Sequence, residues 1–141
     1  MKKVYLASPF FNPEQINVVE SLEDVIAKSR CEVYSPMRHG VLKTMNPKER
    51  AIASKKIFEE NIEMLNWADI IVANTDDFDP GTMFEIGYAF GKNKIIVTFS
   101  AKGYGANVMI SEASNGHYNI YTDLETALFM SEFNGIQKTT E

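Results

Sequence analysis

Two carboxylic acids, Asp79 and Glu85, lie close together in the segment that spans residues 74–89. Pro80 restricts Asp79 to an extended backbone and Gly81 allows a tight turn, so the segment predicts a loop that leads into a helix. We expect Glu85 in the first turn of this helix, where the helix dipole and the free amides favour the ionised carboxylate. An ionised carboxylate that faces a pocket can act as a nucleophile, and a second carboxyl group on the preceding loop can donate a proton.

The same spacing also fits an ordinary helix start. Thr82 and Glu85 have the spacing of a capping box, in which each side chain bonds the backbone N–H of the other residue. Asp79 would then be a solvated acid of the loop. Because most acids in a first helical turn only cap the helix, spacing alone favours this structural interpretation over a catalytic one.

The apolar pattern of the chain predicts the elements that position these acids. Short apolar runs alternate with amphipathic stretches, which is typical of a parallel sheet covered by helices. The predicted strands span residues 4–7, 31–35, 70–73, 95–99 and 118–121. Cap residues three positions before Glu or Gln predict helices that begin at Asn12, Asn46, Thr82 and Thr122. Together they predict one α/β domain over residues 1–141, a doubly wound, flavodoxin-like or Rossmann-like sheet of five parallel strands with helices on both faces.

A sheet of this kind also predicts where a ligand binds. Ligands lie beyond the carboxyl ends of the strands, at the point where the strand order reverses. The residues that follow strands, and should therefore form the rim of the pocket, are 8–12, 36–40, 74–85 and 100–107. Asp79 and Glu85 fall on this rim, whereas Asp69 precedes a strand and is expected at the opposite end of the sheet.

Charge and cysteine content exclude several classes of protein. The chain has 14 Lys and Arg against 19 Asp and Glu, a net charge of -5, and no basic run, which argues against a nucleic-acid partner. Cys31 is the single cysteine, and His39 and His117 lie far apart, so neither a disulfide within the chain nor a metal site is expected. No apolar stretch approaches the ~20 residues that span a bilayer, and the start does not have the pattern of a signal peptide. We expect a soluble cytoplasmic protein without a membrane partner.

Four segments of the chain resemble the nucleoside 2-deoxyribosyltransferase family. They are YLASPFF at residues 5–11, WADII at 67–71, DPGT followed by EIGYA across 79–89, and NVM at 107–109. Their order and spacing are specific, and they cover nearly the whole chain. The resemblance implies an enzyme that transfers 2-deoxyribose between nucleobases, with deoxynucleosides and free nucleobases as its partners and no cofactor.

The resemblance favours a catalytic role for Glu85 over the structural interpretation. It implies that Glu85 attacks C1' of a deoxynucleoside, releases the base and holds the sugar as a covalent ester until another base takes it. Asp79 then matches the acid that contacts and helps to protonate the base, and Tyr5 matches the phenol that orients the nucleophile. Acid–base assistance of this kind typically accelerates a reaction by about 10² to 10⁴.

The resemblance also implies a set of substrate-binding residues. Gly81 belongs to the same motif as Asp79, and Phe10 and Phe11 could flank the sugar or the base, although two Phe after a strand are about as often core residues. Asn61 stands where many relatives have an Asp. Since an amide can form hydrogen bonds but cannot titrate, Asn61 is retained as a substrate contact but not as an acid.

Asn107 and Met109 match residues that relatives contribute to the pocket of the neighbouring subunit, where the Asn bonds the 5'-hydroxyl of the sugar. This implies a homo-oligomer, built from dimers or extended to a hexamer, in which the two residues complete the site of the neighbour. Without the resemblance, a helix cap at Asn107 and a core position for Met109 would be equally good interpretations.

Two other functions compete with the transferase. One is a nucleoside 5'-monophosphate N-glycosidase of the same superfamily, which passes the sugar to water. The relatives with that activity have a Gly and Arg-bearing first loop and a Ser at the position of Asn107, and this chain has neither feature. The other is a non-catalytic module that senses nucleotides, which a fold alone does not exclude.

Overall fold

The structure is a computed structural model that describes residues 1–40, 42 and 46–133. Its strands are β1 (Lys2–Ala7), β2 (Cys31–Tyr34), β3 (Ile70–Asn74), β4 (Ile95–Phe99) and β5 (Gly116–Tyr118). Its α-helices are α1 (Pro13–Lys28), α2 (Pro47–Trp67), α3 (Pro80–Gly91), α4 (Val108–Ala113) and α5 (Tyr121–Met130). The predicted domain over 1–141 also includes residues 41, 43–45 and 134–141, which lie outside the described residues.

The five strands form one parallel sheet in the order β2-β1-β3-β4-β5, which confirms the predicted doubly wound α/β fold. The chain passes from β1 to β2 on one side and then crosses to β3 on the other. The strand order therefore reverses between β1 and β3, so the loops after these two strands meet at the switch point of the sheet.

The sheet separates two apolar cores. Alternating residues of β1 face opposite layers. Val4 and Leu6 pack with the apolar residues of α1 and α5, whereas Tyr5 and Ala7 pack with those of α2 and α3. Tyr5 is fully buried, so its ring belongs to the second core and its hydroxyl extends toward the helices that cover that face.

Two of the predicted helix starts have the expected chemistry. The Asn12 side chain accepts a hydrogen bond from the backbone N–H of Gln15 at 2.8 Å, and Asn46 accepts one from Glu49 at the same distance. In each case the residue after the cap is a proline, whose fixed φ suits the first helical position.

The last strand and the last helix differ from the prediction. β5 spans Gly116–Tyr118 instead of residues 118–121, and α5 begins at Tyr121 after Ile120, without a side-chain cap. Gly116 lies in this strand, at a point where a Cβ would meet the backbone of Phe133 at 3.2 Å. The glycine permits a close approach of two chain segments, which sequence alone does not distinguish from a turn.

Candidate active site

A cavity of about 230 Å³ opens beyond the carboxyl end of β1, between α2 and α3. Its walls come from the loop after β1, the segment after β2, one face of α2 and the start of α3. The lining residues are Ser8, Phe10, Phe11, Pro36, Gly40, Ile57, Phe58, Asn61, Ile62, Leu65, Asp79, Gly81, Phe84 and Glu85. The cavity thus lies at the predicted switch point, and six residues predicted to act in catalysis or binding line it, namely Phe10, Phe11, Asn61, Asp79, Gly81 and Glu85.

Glu85 meets Tyr5 at the wall of this cavity. The Tyr5 hydroxyl donates a hydrogen bond to Glu85 Oε2, so a side chain from β1 holds one from α3. Burial raises the pKa of Glu85 to about 7, the hydrogen bond from Tyr5 opposes this change, and the nearby charge of Asp79 adds to it. Burial, followed by the charge of Glu85, also raises the pKa of Tyr5 above its ordinary value, which keeps the phenol a hydrogen-bond donor at neutral pH.

The start of α3 differs from both interpretations of the sequence. The helix begins at Pro80, and Asp79 is its N-cap, so Glu85 lies in the second turn and does not form a capping box with Thr82. The prediction that the first helical turn stabilises the ionised form of Glu85 is therefore wrong, since the pKa of Glu85 is raised and not lowered. Pro80 at the first helical position, with Asp79 before it, was the signal in the sequence for the earlier start.

Asp79 combines a structural contact with exposure to the cavity. Its Oδ2 accepts hydrogen bonds from the backbone N–H of Thr82 at 2.9 Å and from the Thr82 hydroxyl at 3.0 Å. The other oxygen, Oδ1, has no hydrogen bond to the described part of the chain. A Cβ at Gly81 would come within 3.2 Å of Oδ2, so glycine leaves space for the carboxylate at this cap.

The two phenylalanines of the first loop form an aromatic wall of the cavity. The ring centroids of Phe10 and Phe11 lie 5.1 Å apart. Phe10 also packs against the core of α1 and α5, whereas the Phe11 side chain is 70% exposed. Phe10 is therefore both a core and a cavity residue, while Phe11 is not a core residue.

Gln15 fixes the backbone of this loop. Its side-chain oxygen accepts a hydrogen bond from the Phe11 N–H at 2.8 Å, and its amide nitrogen donates to Asp77 Oδ2 at 2.9 Å. Asp77 has a φ of 67° and also accepts a hydrogen bond from Lys102 at 2.9 Å. The loops after β1, β3 and β4 are thus connected, a role for Gln15 that the sequence did not reveal.

Asn61 reaches the cavity from α2 and is held there by Tyr34. The Tyr34 hydroxyl, at the end of β2, donates a hydrogen bond to Asn61 Oδ1 at 3.3 Å. The Tyr34 ring lies 5.6 Å from that of Tyr5 and stacks on His39 at 4.4 Å. Asn61 therefore lies at the cavity, with its side chain held by a residue at the end of β2.

Asn107 and Met109 lie away from the Glu85 cavity. Asn107 is exposed and caps α4, where its Oδ1 accepts a hydrogen bond from the Ile110 N–H at 3.0 Å, and Met109 is 73% exposed. Asn107 lines a separate cavity of about 300 Å³ together with Thr75, Phe78, Met83, Ala106 and Ile110. The fold of one chain therefore does not bring either residue to Glu85, and the alternative that Met109 is a core residue is wrong.

Several cavity residues were not predicted as site residues. Phe58, Ile62 and Leu65 recur at helical spacing on one face of α2, yet all three line the cavity, and Phe58 remains 55% exposed. Phe84 also lines it, from the exposed side of α3. A large apolar residue that the sheet does not cover is a signal for a ligand surface, but exposure is not visible in the sequence.

The charges at the cavity are negative. Asp79 and Glu85 are acidic, and none of the described residues that line the cavity is Lys, Arg or His. Arg38 follows β2 nearby, but its guanidinium pairs with Glu23 at 2.6 Å. Within residues 1–40, 42 and 46–133, no three His, Cys, Asp or Glu side chains are grouped so that they could hold a metal ion. Across the same ranges, no helix is long and apolar enough to cross a membrane.

The family model for nucleoside 2-deoxyribosyltransferase matches residues 4–119 of the sequence. The chain belongs to this family. The family is enzymatic, and the match includes Tyr5, Asn61, Asp79, Glu85 and Asn107. No curated protein sequence was found to match the chain.

Solved structures agree with this assignment. A 2-deoxyribosyltransferase from the psychrotolerant bacterium Bacillus psychrosaccharolyticus is 27% identical, with a TM-score of 0.79 over 96% of this chain and 99% of the other. A CMP N-glycosidase from Clostridium botulinum is 19% identical, with a TM-score of 0.61 over 90% and 98% of the two chains. A conserved protein from Enterococcus faecalis is 20% identical, with a TM-score of 0.56 over 98% and 92%. The last two similarities concern the fold alone.

Proposed function

We propose that this protein transfers 2-deoxyribose between nucleobases by a retaining double displacement, through a covalent ester on Glu85. The observation that carries the proposal is the carboxylate of Glu85 at the cavity wall, with the Tyr5 hydroxyl bonded to Oε2. Membership of the nucleoside 2-deoxyribosyltransferase family and the similarity to a bacterial 2-deoxyribosyltransferase support the same activity.

The proposed reaction has two balanced steps. In the first, a Glu85 oxygen forms a bond to C1' while the C1'–N bond breaks, and the electron pair of that bond leaves with the base. Asp79 passes a proton to the departing base, which leaves as a neutral molecule. In the second, a nitrogen lone pair of the acceptor base attacks C1', the ester electrons return to Glu85, and the acceptor proton goes to Asp79. Two inversions at C1' leave the configuration of the product unchanged.

Tyr5 orients the nucleophile in this scheme. Its hydroxyl occupies Oε2, while Oε1 has no hydrogen bond to the described residues and is the oxygen that attacks. Asp79 suits the role of proton donor for a similar reason, since its Oδ2 is occupied by the hydrogen bonds from Thr82 at the helix start and its Oδ1 is left for the base. The phenyl rings of Phe10 and Phe11 would flank the sugar or the base.

The charge of the cavity favours a neutral substrate. A phosphate dianion needs a cationic or multiply hydrogen-bonded partner, and the described lining residues offer two acids and no cation. The ionised Glu85 that attacks C1' would repel a 5'-phosphate on the same sugar. This observation favours a nucleoside over the nucleoside monophosphate that a CMP N-glycosidase uses.

We also propose that a neighbouring copy of the chain completes the site. Asn107 and Met109 are exposed and lie outside the Glu85 cavity of their own chain. In the proposed homo-oligomer, Asn107 of one copy bonds the 5'-hydroxyl of the sugar bound by another, and Met109 covers the sugar. The partners of the site would then be a deoxynucleoside, a free base and a second protomer, and no cofactor would be needed.

A transfer assay tests the activity. The protein is incubated with deoxyinosine and adenine, and we expect deoxyadenosine and hypoxanthine, with the product in the β configuration by NMR. Glu85→Ala should abolish this transfer, whereas Glu59→Ala, an exposed acid on α2 outside the cavity, should leave it unchanged.

The other outcomes contradict the proposal. Release of ribose phosphate and free base from a nucleoside monophosphate, without transfer, would favour the glycosidase. Binding of nucleosides without any turnover would favour a sensing module.

A further inference from the structure

The side-chain amide of Asn61 has a defined direction at the cavity wall. Its Oδ1 accepts the hydrogen bond from Tyr34, whose own position is fixed by burial and by stacking against His39 at an interplanar angle of 18°. A tyrosine hydroxyl donates readily to an amide oxygen. The oxygen end of Asn61 is therefore turned toward Tyr34 and away from a ligand.

The nitrogen end of the same amide is left for the cavity. Asn61 lines the cavity, and its Nδ2 makes no hydrogen bond to the described residues. An amide nitrogen carries two N–H donors and no acceptor. The cavity lining thus contains two acids, Asp79 and Glu85, and the amide nitrogen of Asn61, which only donates.

We infer that Tyr34 positions Asn61 as a hydrogen-bond donor to the nucleobase, so that the site favours bases with a carbonyl oxygen over bases with an amino group at the same position. This inference rests on the proposed function and names the substrate class of its site. A carbonyl oxygen would accept from Asn61 Nδ2, whereas an exocyclic amino group would place donor against donor. A site built to donate to a base discriminates strongly, because its own polar group is left unpaired by the wrong base.

Replacement of Asn61 by Asp should reverse the preference. A carboxylate accepts hydrogen bonds and does not donate them, so it would bind an amino group and repel a carbonyl oxygen. Tyr34→Phe keeps the aromatic ring but removes the hydroxyl that directs the amide. Asn61 would then be able to turn either end toward the base, and the preference should weaken without reversal.

Calorimetric binding of hypoxanthine and adenine tests the inference. These purines differ at C6, where one has an oxygen and the other an amino group, and in the N1 proton that accompanies this change. We expect hypoxanthine to bind more tightly to the unmodified protein. The ratio of the two affinities should shift toward adenine by about tenfold in Asn61→Asp and by less in Tyr34→Phe.

The chain offers a matched control for this test. Asn66 also lies on α2 and accepts a hydrogen bond from a tyrosine hydroxyl, that of Tyr88, at 3.0 Å, but it is exposed and does not line the cavity. Asn66→Asp introduces the same charge on the same helix and should leave the ratio unchanged. Thermal unfolding of each variant shows whether the fold is retained.

Two results would overturn the inference: no binding of either base, or an unchanged ratio of the two affinities in Asn61→Asp, including one in which both bases are weakened equally. Equal weakening would mean that Asn61 contacts the sugar or only shapes the cavity. Rates of transfer to the two acceptor bases separate this failure from that of the proposed function. Transfer with an unshifted ratio contradicts the inference alone, while shifted binding without transfer contradicts the transferase alone.

Discussion

Tyr5 of β1 and Glu85 of α3 are joined by a hydrogen bond on the face of the sheet that α2 and α3 cover. The bond connects a fully buried phenol to a carboxylate whose pKa burial has raised to about 7. The two side chains therefore form a unit in which one group is always a donor and the other titrates near neutrality.

The rate of transfer should depend on the ionisation of Glu85. Only the carboxylate is a nucleophile, so kcat/KM should rise with pH through about 7, the pKa to which burial raises Glu85 in the free enzyme. Tyr5→Phe removes a hydrogen bond that lowers this pKa, so the acid limb of the profile should move to higher pH. The measurement is kcat/KM against pH for both proteins, and a limb that stays in place or moves to lower pH would contradict the assigned role of Tyr5.

Glu85 should also make the stability of the protein depend on pH. The folded protein binds the Glu85 proton more tightly than the unfolded chain, whose reference pKa is 4.5, so the stabilisation is fully present below pH 4.5 and is lost as pH rises through about 7. Glu85→Gln cannot titrate. Relative to the variant, the unmodified protein should therefore lose about 3 kcal/mol of unfolding free energy between pH 4 and pH 8. Urea unfolding at both pH values measures this difference, and parallel curves would show that burial does not hold the proton on Glu85.

The sequence predicts the sheet well because its apolar runs are simple. The central strands β3 and β4 are continuously apolar since helices cover both faces, and their bounds differ from the prediction by one residue at most. The short strand β5 is different. It has three residues, one of them Gly116, which packs closely against Phe133, so no local pattern in the sequence separates this strand from a turn.

The candidate site was predictable only in part. The rim of the sheet follows from the fold, and it places Asp79 and Glu85 correctly at the cavity. The raised pKa of Glu85 does not follow, because it depends on burial in the folded chain, beside Tyr5 of a strand that is remote in the sequence. Tyr34 and Gln15 were missed for the same reason, since their roles consist of contacts between loops that only the folded chain brings together.

Gln15 should affect substrate binding more than the chemical step. Gln15→Leu removes the hydrogen bonds to the Phe11 backbone and to Asp77, which frees the aromatic wall of the cavity. We expect a several-fold increase in KM for the deoxynucleoside with kcat nearly unchanged, consistent with the loss of about 1 kcal/mol of uniform binding. Steady-state kinetics measure both constants. A fall in kcat with an unchanged KM would place Gln15 in the chemical step instead.

Mixed oligomers should reveal a site shared between subunits. Asn107→Thr retains a residue that can cap α4 but shortens the side chain, so this variant and Glu85→Ala should each be poorly active. Unfolded together and refolded, they should recover about a quarter of the unmodified activity, because half of the random dimers contain one site with both native residues. The control mixes Glu85→Ala with Asp79→Asn, whose residues line one cavity of the same chain, and it should recover nothing. Equal activities of the two mixtures would argue against a contribution of Asn107 to a neighbouring site.

The most direct test of the account is the covalent ester on Glu85. A 2-fluorinated deoxynucleoside analogue slows both the formation and the breakdown of a glycosyl ester, because the fluorine destabilises the positive charge that develops at C1'. Without an acceptor base, only this slowed hydrolysis removes the ester, so the ester should accumulate. After incubation with such an analogue and no acceptor base, intact mass spectrometry should show the addition of one fluorinated sugar, and peptide mapping should locate it on Glu85. An unmodified protein that nevertheless catalyses transfer, or a sugar attached to another residue, would contradict the mechanism.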